Sequence, residues 1–218
     1  MVPGLVYLLL QVYISDFIYL LSGNYSFCYS AAVIFSNSEV LAIAYGNNGN
    51  NNVFTSCTMI GGNYGVSFLG QSGGLISNNQ LINSTIKEFL SNGVTSVYTT
   101  GTVIRSCIIE RPTRTVFNGT THYGIFSTTL TNSIIIEKNR IRNMYGAATN
   151  STNTLHGIYL ASNGSSGNES KLINNIISDN NHEGILYGMS LHGSYLQVFH
   201  NTISLDYTSS ATSNSTYG

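Results

Sequence analysis

The chain has 218 residues and only 8% of them are charged, about a third of the share in ordinary soluble domains, with a formal net charge of -1. Eight Lys and Arg give no basic footprint for phosphate, which excludes nucleic acid as a partner. A 42% hydrophobic content at near-zero net charge excludes a disordered chain, and two prolines beside 22 glycines exclude a collagen-like one.

Residues 1–30 form an apolar N-terminal segment in which Gln11 and Asp16 interrupt the run from 2 to 21. The first Lys or Arg of the chain is Lys87, so the segment lacks the basic start of a signal peptide and the flanking charge that orients a membrane span. A buried first coil, a signal or anchor, and an atypical start all stay open. A membrane is a partner only if this segment is an anchor.

From residue 31 to 218 the chain repeats. A glycine preceded by an aromatic or polar residue and followed by an aliphatic recurs at Tyr64-Gly65-Val66, Asn92-Gly93-Val94, Tyr123-Gly124-Ile125, His156-Gly157-Ile158 and Tyr187-Gly188-Met189, at spacings of 28, 31, 33 and 31. Between these lie segments centred on a small polar residue flanked by aliphatics, giving the row Ser56, Ser84, Ser106, Asn139, Asn175 and Asn201. Glu137 stands where the segment at Asn139 should have an aliphatic, which predicts a one-residue bulge there.

Alternation at period two, β-branched residues and flanking Gly and Asn predict short strands. A unit of about 30 residues with two or three strands cannot bury its apolar side alone, so units must stack. Equivalent residues then form rows about 4.8 Å apart. The expected fold is all-β, a parallel β-helix solenoid of about six coils. Asn, Ser and Thr number 26, 29 and 21, and in such rows uncharged amides and hydroxyls bond to their copies where like charges would repel.

Through the rows Ser56/Ser84/Ser106/Asn139/Asn175/Asn201 and Val66/Val94/Ile125/Ile158/Met189, residues 31–218 resemble the right-handed parallel β-helix, or pectin-lyase-like, family. More narrowly they look like repeat modules of large secreted bacterial surface proteins. The resemblance implies a secreted or cell-surface structural or adhesive module that binds polysaccharide along its elongated face. Its alternative is a carbohydrate-active enzyme, a polysaccharide lyase or glycoside hydrolase. Family lyases hold calcium with clustered Asp or Glu, and family polygalacturonases use clustered aspartates. Here Asp16, Asp179 and Asp206 are never adjacent, so neither constellation carries over and no cofactor is expected. The chain stops at Tyr217-Gly218, which repeats the aromatic-glycine dipeptide and suggests a fragment of a longer parent chain.

Cys28, Cys57 and Cys107 are an odd count. Cys57 and Cys107 share a register two coils apart, about 10 Å, too far for a disulfide, and their spacing excludes a CxxC zinc site. Asp179, His182, Glu183 and His192 match no metal pattern, and no metal is expected. Seven Asn-x-Ser/Thr triplets are at chance level in so Asn-, Ser- and Thr-rich a chain.

Three groups of residues are candidates for chemistry. Four positions after the row, Glu88 and Glu110 fall on a corner, adjacent and about 5 Å apart, as in a retaining glycosidase pair that divides acid and base roles. Lys87, Arg111, Arg114 and Arg142 lie near in register, so these carboxylates read equally as solvated ion pairs. Before the glycines, Tyr64, Tyr123, His156 and Tyr187 with Asn92 form a row that either stacks on sugars or stacks on itself. One position before the polar row, Arg105 and Lys138 would meet an acidic polysaccharide or simply face solvent.

Overall fold

The computed structural model describes residues 31–35, 50–205 and 216–218, so the expectations for residues 1–30 and Cys28 lie outside the described residues. Every described strand pairing is parallel, and the strands gather into three long sheets and one two-stranded pair. The first sheet runs through Ala31–Phe35, Tyr64–Leu69, Asn92–Val97, Thr121–Thr131, Thr154–Asn163, Leu186–Ser194 and Thr216–Tyr217. The second runs through Val53–Thr55, Gln80–Ile82, Val103–Arg105, Ile135–Glu137, Ser170–Ile173 and Leu196–Phe199. The third contains Thr58–Ile60, Thr85–Lys87, Ile108–Glu110, Arg140–Arg142, Ile176–Ser178 and Thr202–Ile203. The chain visits second, third and first sheet in turn, as a parallel β solenoid does.

The core is three facing aliphatic rows. Leu81, Ile104, Ile136 and Leu172 come from the second sheet, Ile86, Ile109, Ile141 and Ile177 from the third, and Val66, Val94, Ile125 and Ile158 from the first, all fully buried. The glycine row explains how close the sheets come. A methyl group on Gly124 would lie 2.5 Å from the Gly157 carbonyl oxygen and 2.7 Å from Ile141 Cγ2. One on Gly157 would lie 2.6 Å from the Gly188 oxygen, so a side chain here meets the backbone of the next coil.

The polar row forms, in a register that differs from the expected one at two rungs. The backbone N–H of Cys57 donates to Ser84 Oγ (3.1 Å), that of Cys107 to Asn139 Oδ1 (3.0 Å), and that of Asn139 to Asn175 Oδ1 (3.1 Å). Cys57 and Cys107, rather than Ser56 and Ser106, therefore occupy the row. Ser56, Asn83, Ser106, Lys138, Asn174 and His200 form the corner just before it, each at a positive φ between 49° and 57°. That left-handed residue interrupts the period-two alternation, so the inward positions are three before and two after the row residue. Glu137 consequently points away from the core in regular register with Arg105 and Ile173, and the predicted bulge is absent.

The amide ladder is continuous where Asn recurs. Asn139 Nδ2 donates to Asn175 Oδ1 (3.0 Å) and to the Ile104 carbonyl (2.9 Å), and Asn175 Nδ2 repeats this with Asn201 Oδ1 and the Ile136 carbonyl, both at 2.9 Å. Cys107 is buried in the same row, its thiol donating to the Arg105 carbonyl (3.2 Å), and burial pushes its pKa up to about 11. It is a packing residue, not a nucleophile.

Candidate functional site

In Thr121–Thr131 the burial pattern shows His122, Gly124, Ile125 and Ser127 buried, with Tyr123 and Phe126 half-buried. Two consecutive residues, Gly124 and Ile125, thus face inward, which carries Tyr123 and Phe126, three apart, onto the same outer face. Their ring centroids are 4.6 Å apart. The same shift recurs at Gly157, where His156 and Tyr159 are half-buried beside it.

Along the sheet the rings form a column. Tyr123 stacks on His156 (5.1 Å, 16°), His156 on Tyr187 (4.5 Å, 11°), and Tyr187 on Tyr217 (4.9 Å, 10°). A second row runs beside it, with Phe126 stacked on Tyr159 at 5.4 Å and Tyr159 edge-on to both Tyr123 and His156 at 5.7 Å. Ring faces within the column are taken up by neighbouring rings, so it presents ring edges and hydroxyls outward. Such pairs contribute about 0.5–1.5 kcal/mol each. Tyr64 continues the register with Asn92 between it and Tyr123. At that end the outer rows are closed, with Ser67, Asn92 and Thr95 only 2%, 6% and 5% exposed, so the accessible stretch runs from Tyr123 to Tyr217.

Among the described residues, the strands of this face carry no Lys, Arg, Asp or Glu. His156 shares a hydrogen bond with Ser190 Oγ through Nδ1 (2.7 Å), and burial, with His192 second, lowers its pKa, leaving the ring neutral at neutral pH. Burial raises the Tyr123 phenol, with Tyr159 a lesser cause.

Arg105 and Lys138 lie elsewhere, on the second sheet and the corner after it. Glu137 bridges them: Arg105 Nε donates to Oε2 (2.9 Å), and Lys138 Nζ is 3.4 Å from Oε1. Glu88 and Glu110 do not share a register row. Glu110 pairs with Lys87 and Arg142 in the third sheet, and its Oε2 accepts from Arg142 Nε at 3.0 Å. Glu88 stands one position on, its N–H donating to the Glu110 carbonyl, and its Oε1 accepts from the N–H (3.0 Å) and hydroxyl (2.9 Å) of Thr113. With Arg114 at 4.0 Å it borders a groove of about 300 Å3 that Thr113, Thr115 and Val116 complete.

Sequence reasoning placed Arg111 among exposed charges; the structure buries it completely. Its Nε donates to the Met144 carbonyl (2.9 Å) and Nη1 to the Leu90 carbonyl (3.1 Å). Its guanidinium lies 5.1, 4.6 and 4.9 Å from the ring centres of Phe89, Phe117 and Tyr145, so π-faces replace a carboxylate as counter-charge. Burial lowers its pKa to about 10, high enough to keep the charge. Tyr145 shares a short hydrogen bond with His122 Nδ1 and stacks on His182 at 4.3 Å. Burial lowers His122 to about 3 and also lowers His182, so both are neutral beside the arginine. His182 therefore belongs to the interior, and His192 to the first sheet 5.3 Å from Tyr159. Among the described residues no three His, Cys, Asp or Glu side chains converge on a metal position.

These features define the class of the protein: an all-β parallel solenoid with an aromatic outer face, a charged pair of sheets and one aperiodic, filled corner. Compared with family models, curated proteins and solved structures, the chain finds no match.

Proposed function

We propose that the chain is a structural and adhesive module, a right-handed parallel β-helix of the pectin-lyase-like kind with six coils, that holds an extended polysaccharide against its first sheet at the cell surface or outside a bacterial cell. The observation that carries this reading is the column Tyr123–His156–Tyr187–Tyr217 with Phe126 and Tyr159 beside it, a row of half-exposed rings at spacings of 4.5 to 5.1 Å. A polymer that advances by about one strand spacing per unit meets a ring of the column at each rung. Six strands in each of the second and third sheets support the coil count, and the general preference of parallel crossovers supports the hand. The ladders of uncharged amides and hydroxyls fit an extracellular rod.

The rival reading, a lyase or hydrolase, draws on the groove at Glu88. The two separate in one assay of the purified chain with polysaccharides. Retention without new reducing or unsaturated ends supports the adhesive module. New ends that vanish in the Glu88→Gln/Glu110→Gln double variant would make it an enzyme, and neither retention nor cleavage would leave an inert stalk.

A further inference from the structure

Resting on the adhesive reading above, we propose that the ligand of the first sheet is a neutral polysaccharide, not an acidic one. The first sheet's strands YGVSFL, NGVTSV, THYGIFSTTLT, TLHGIYLASN, LYGMSLHGS and TY contain no Lys, Arg, Asp or Glu. The third sheet, by contrast, carries Lys87, Glu110 and Arg142, and the second Arg105, Glu137 and Lys171. The solenoid thus keeps these charges on the second and third sheets and its column of stacked rings on the first.

The segregation decides what the face accepts. A carboxylate-bearing glycan laid along it would lose hydration and meet no cation, a cost without a compensating ion pair. The cations that the sequence offers for such a ligand, Arg105 and Lys138, are on the second sheet and the corner after it and are already held by Glu137. A neutral sugar carries no such penalty. Its C–H faces meet the edges of the stacked rings, and its hydroxyls meet the Tyr hydroxyls and Ser190. The hydroxyls interleaved with rings make the face too polar for a lipid tail.

The test measures retention of the purified chain on neutral glycans (xylan, mannan, β-glucan, chitin oligomers) and acidic ones (polygalacturonate, alginate), at low salt and at about 1 M salt, where the screening length is about 3 Å. The expected result is retention on a neutral glycan that salt leaves unchanged. It should fall about tenfold in Tyr123→Asn and in Phe126→Thr/Tyr159→Ser, a loss equivalent to about 1.4 kcal/mol. These replacements copy what the same rows hold at other rungs, Asn92, Thr95 and Ser190, so the fold tolerates them, and circular dichroism verifies it. Retention confined to acidic glycans, weakened by salt and lost in Arg105→Gln/Lys138→Gln, would overturn the neutral face while leaving the adhesive module standing. No retention on any glycan would overturn both, and neutral retention that the ring variants leave intact would overturn the ring column as the site while leaving the adhesive module standing.

Discussion

The two corners that flank the third sheet are built on opposite plans. Between second and third sheets each coil turns through one left-handed residue and then offers a small amide, hydroxyl or thiol to its neighbour, as Ser84, Asn139, Asn175 and Asn201 do. Between third and first sheets the connections 111–120, 143–153 and 179–185 are longer, and they enclose a single cluster of Arg111, Phe117, His122, Tyr145 and His182. The periodic corner spreads its stabilisation over many equivalent bonds. The aperiodic one concentrates it in one packed cage, filled by a cation whose neighbours are carbonyls and rings.

The largest contrast should come from removing that cation. Arg111→Ala leaves a cavity and the Met144 carbonyl without its donor, the Leu90 carbonyl keeping the Asn118 N–H, and should cost about 3–5 kcal/mol in urea unfolding, while Arg111→Met, which keeps the volume without a buried charge, should cost much less. Equal losses in both variants would mean that the guanidinium itself, not the filled space, holds the corner. Acid should act on the same cluster. His122 titrates near its ordinary 6.5 when unfolded and at about 3 when folded, so the unfolded chain binds more protons between these values. This contribution is full above pH about 6.5 and is lost as pH falls towards about 3. Urea unfolding as a function of pH should show a shallower acid slope in His122→Gln than in the wild type; identical slopes would remove His122 as the cause.

At the periodic corner a single rung should matter less. Asn175→Ala removes the acceptor of the Asn139 N–H, leaves Asn139 Nδ2 with the Ile104 carbonyl alone, and should cost about 2–3 kcal/mol by chemical denaturation. Asn175→Ser should recover part of it, since Ser84 serves the row with one hydroxyl. The smallest effect is a gain. Ser106 sits at φ 55°, a region Asn tolerates better than Ser, so Ser106→Asn should raise stability by about 0.5 kcal/mol, seen as a higher melting temperature.

The same contrast explains what the sequence discloses. The glycine row, the Asn row and the aromatic column were legible because each recurs once per coil, and stacking demands the same shape at each rung. The off-by-one register at Cys57 and Cys107 was not, because Ser and Cys adjoin at both rungs and either is small enough for the row. The left-handed corner residues give only a partial warning: Asn83, Asn174 and His200 are types that favour a positive φ, but Ser56, Ser106 and Lys138 are not. Arg111 escaped entirely, since its cage draws on Phe117 and Tyr145, which lie in insertions that no other coil repeats. The outward aim of Tyr123 and Phe126 depended on two successive inward residues at Gly124 and Ile125, which alternation alone cannot foresee.

The most direct test of the central claim is hydroxyl-radical footprinting of the chain with and without a retained neutral polysaccharide. Protection of Tyr123, Phe126, Tyr159 and Tyr187, with Arg105, Lys138 and the Glu88 groove labelled as before, is the predicted result. Protection at Thr113–Val116 with the ring column labelled unchanged would contradict it and move the site to the Glu88 groove.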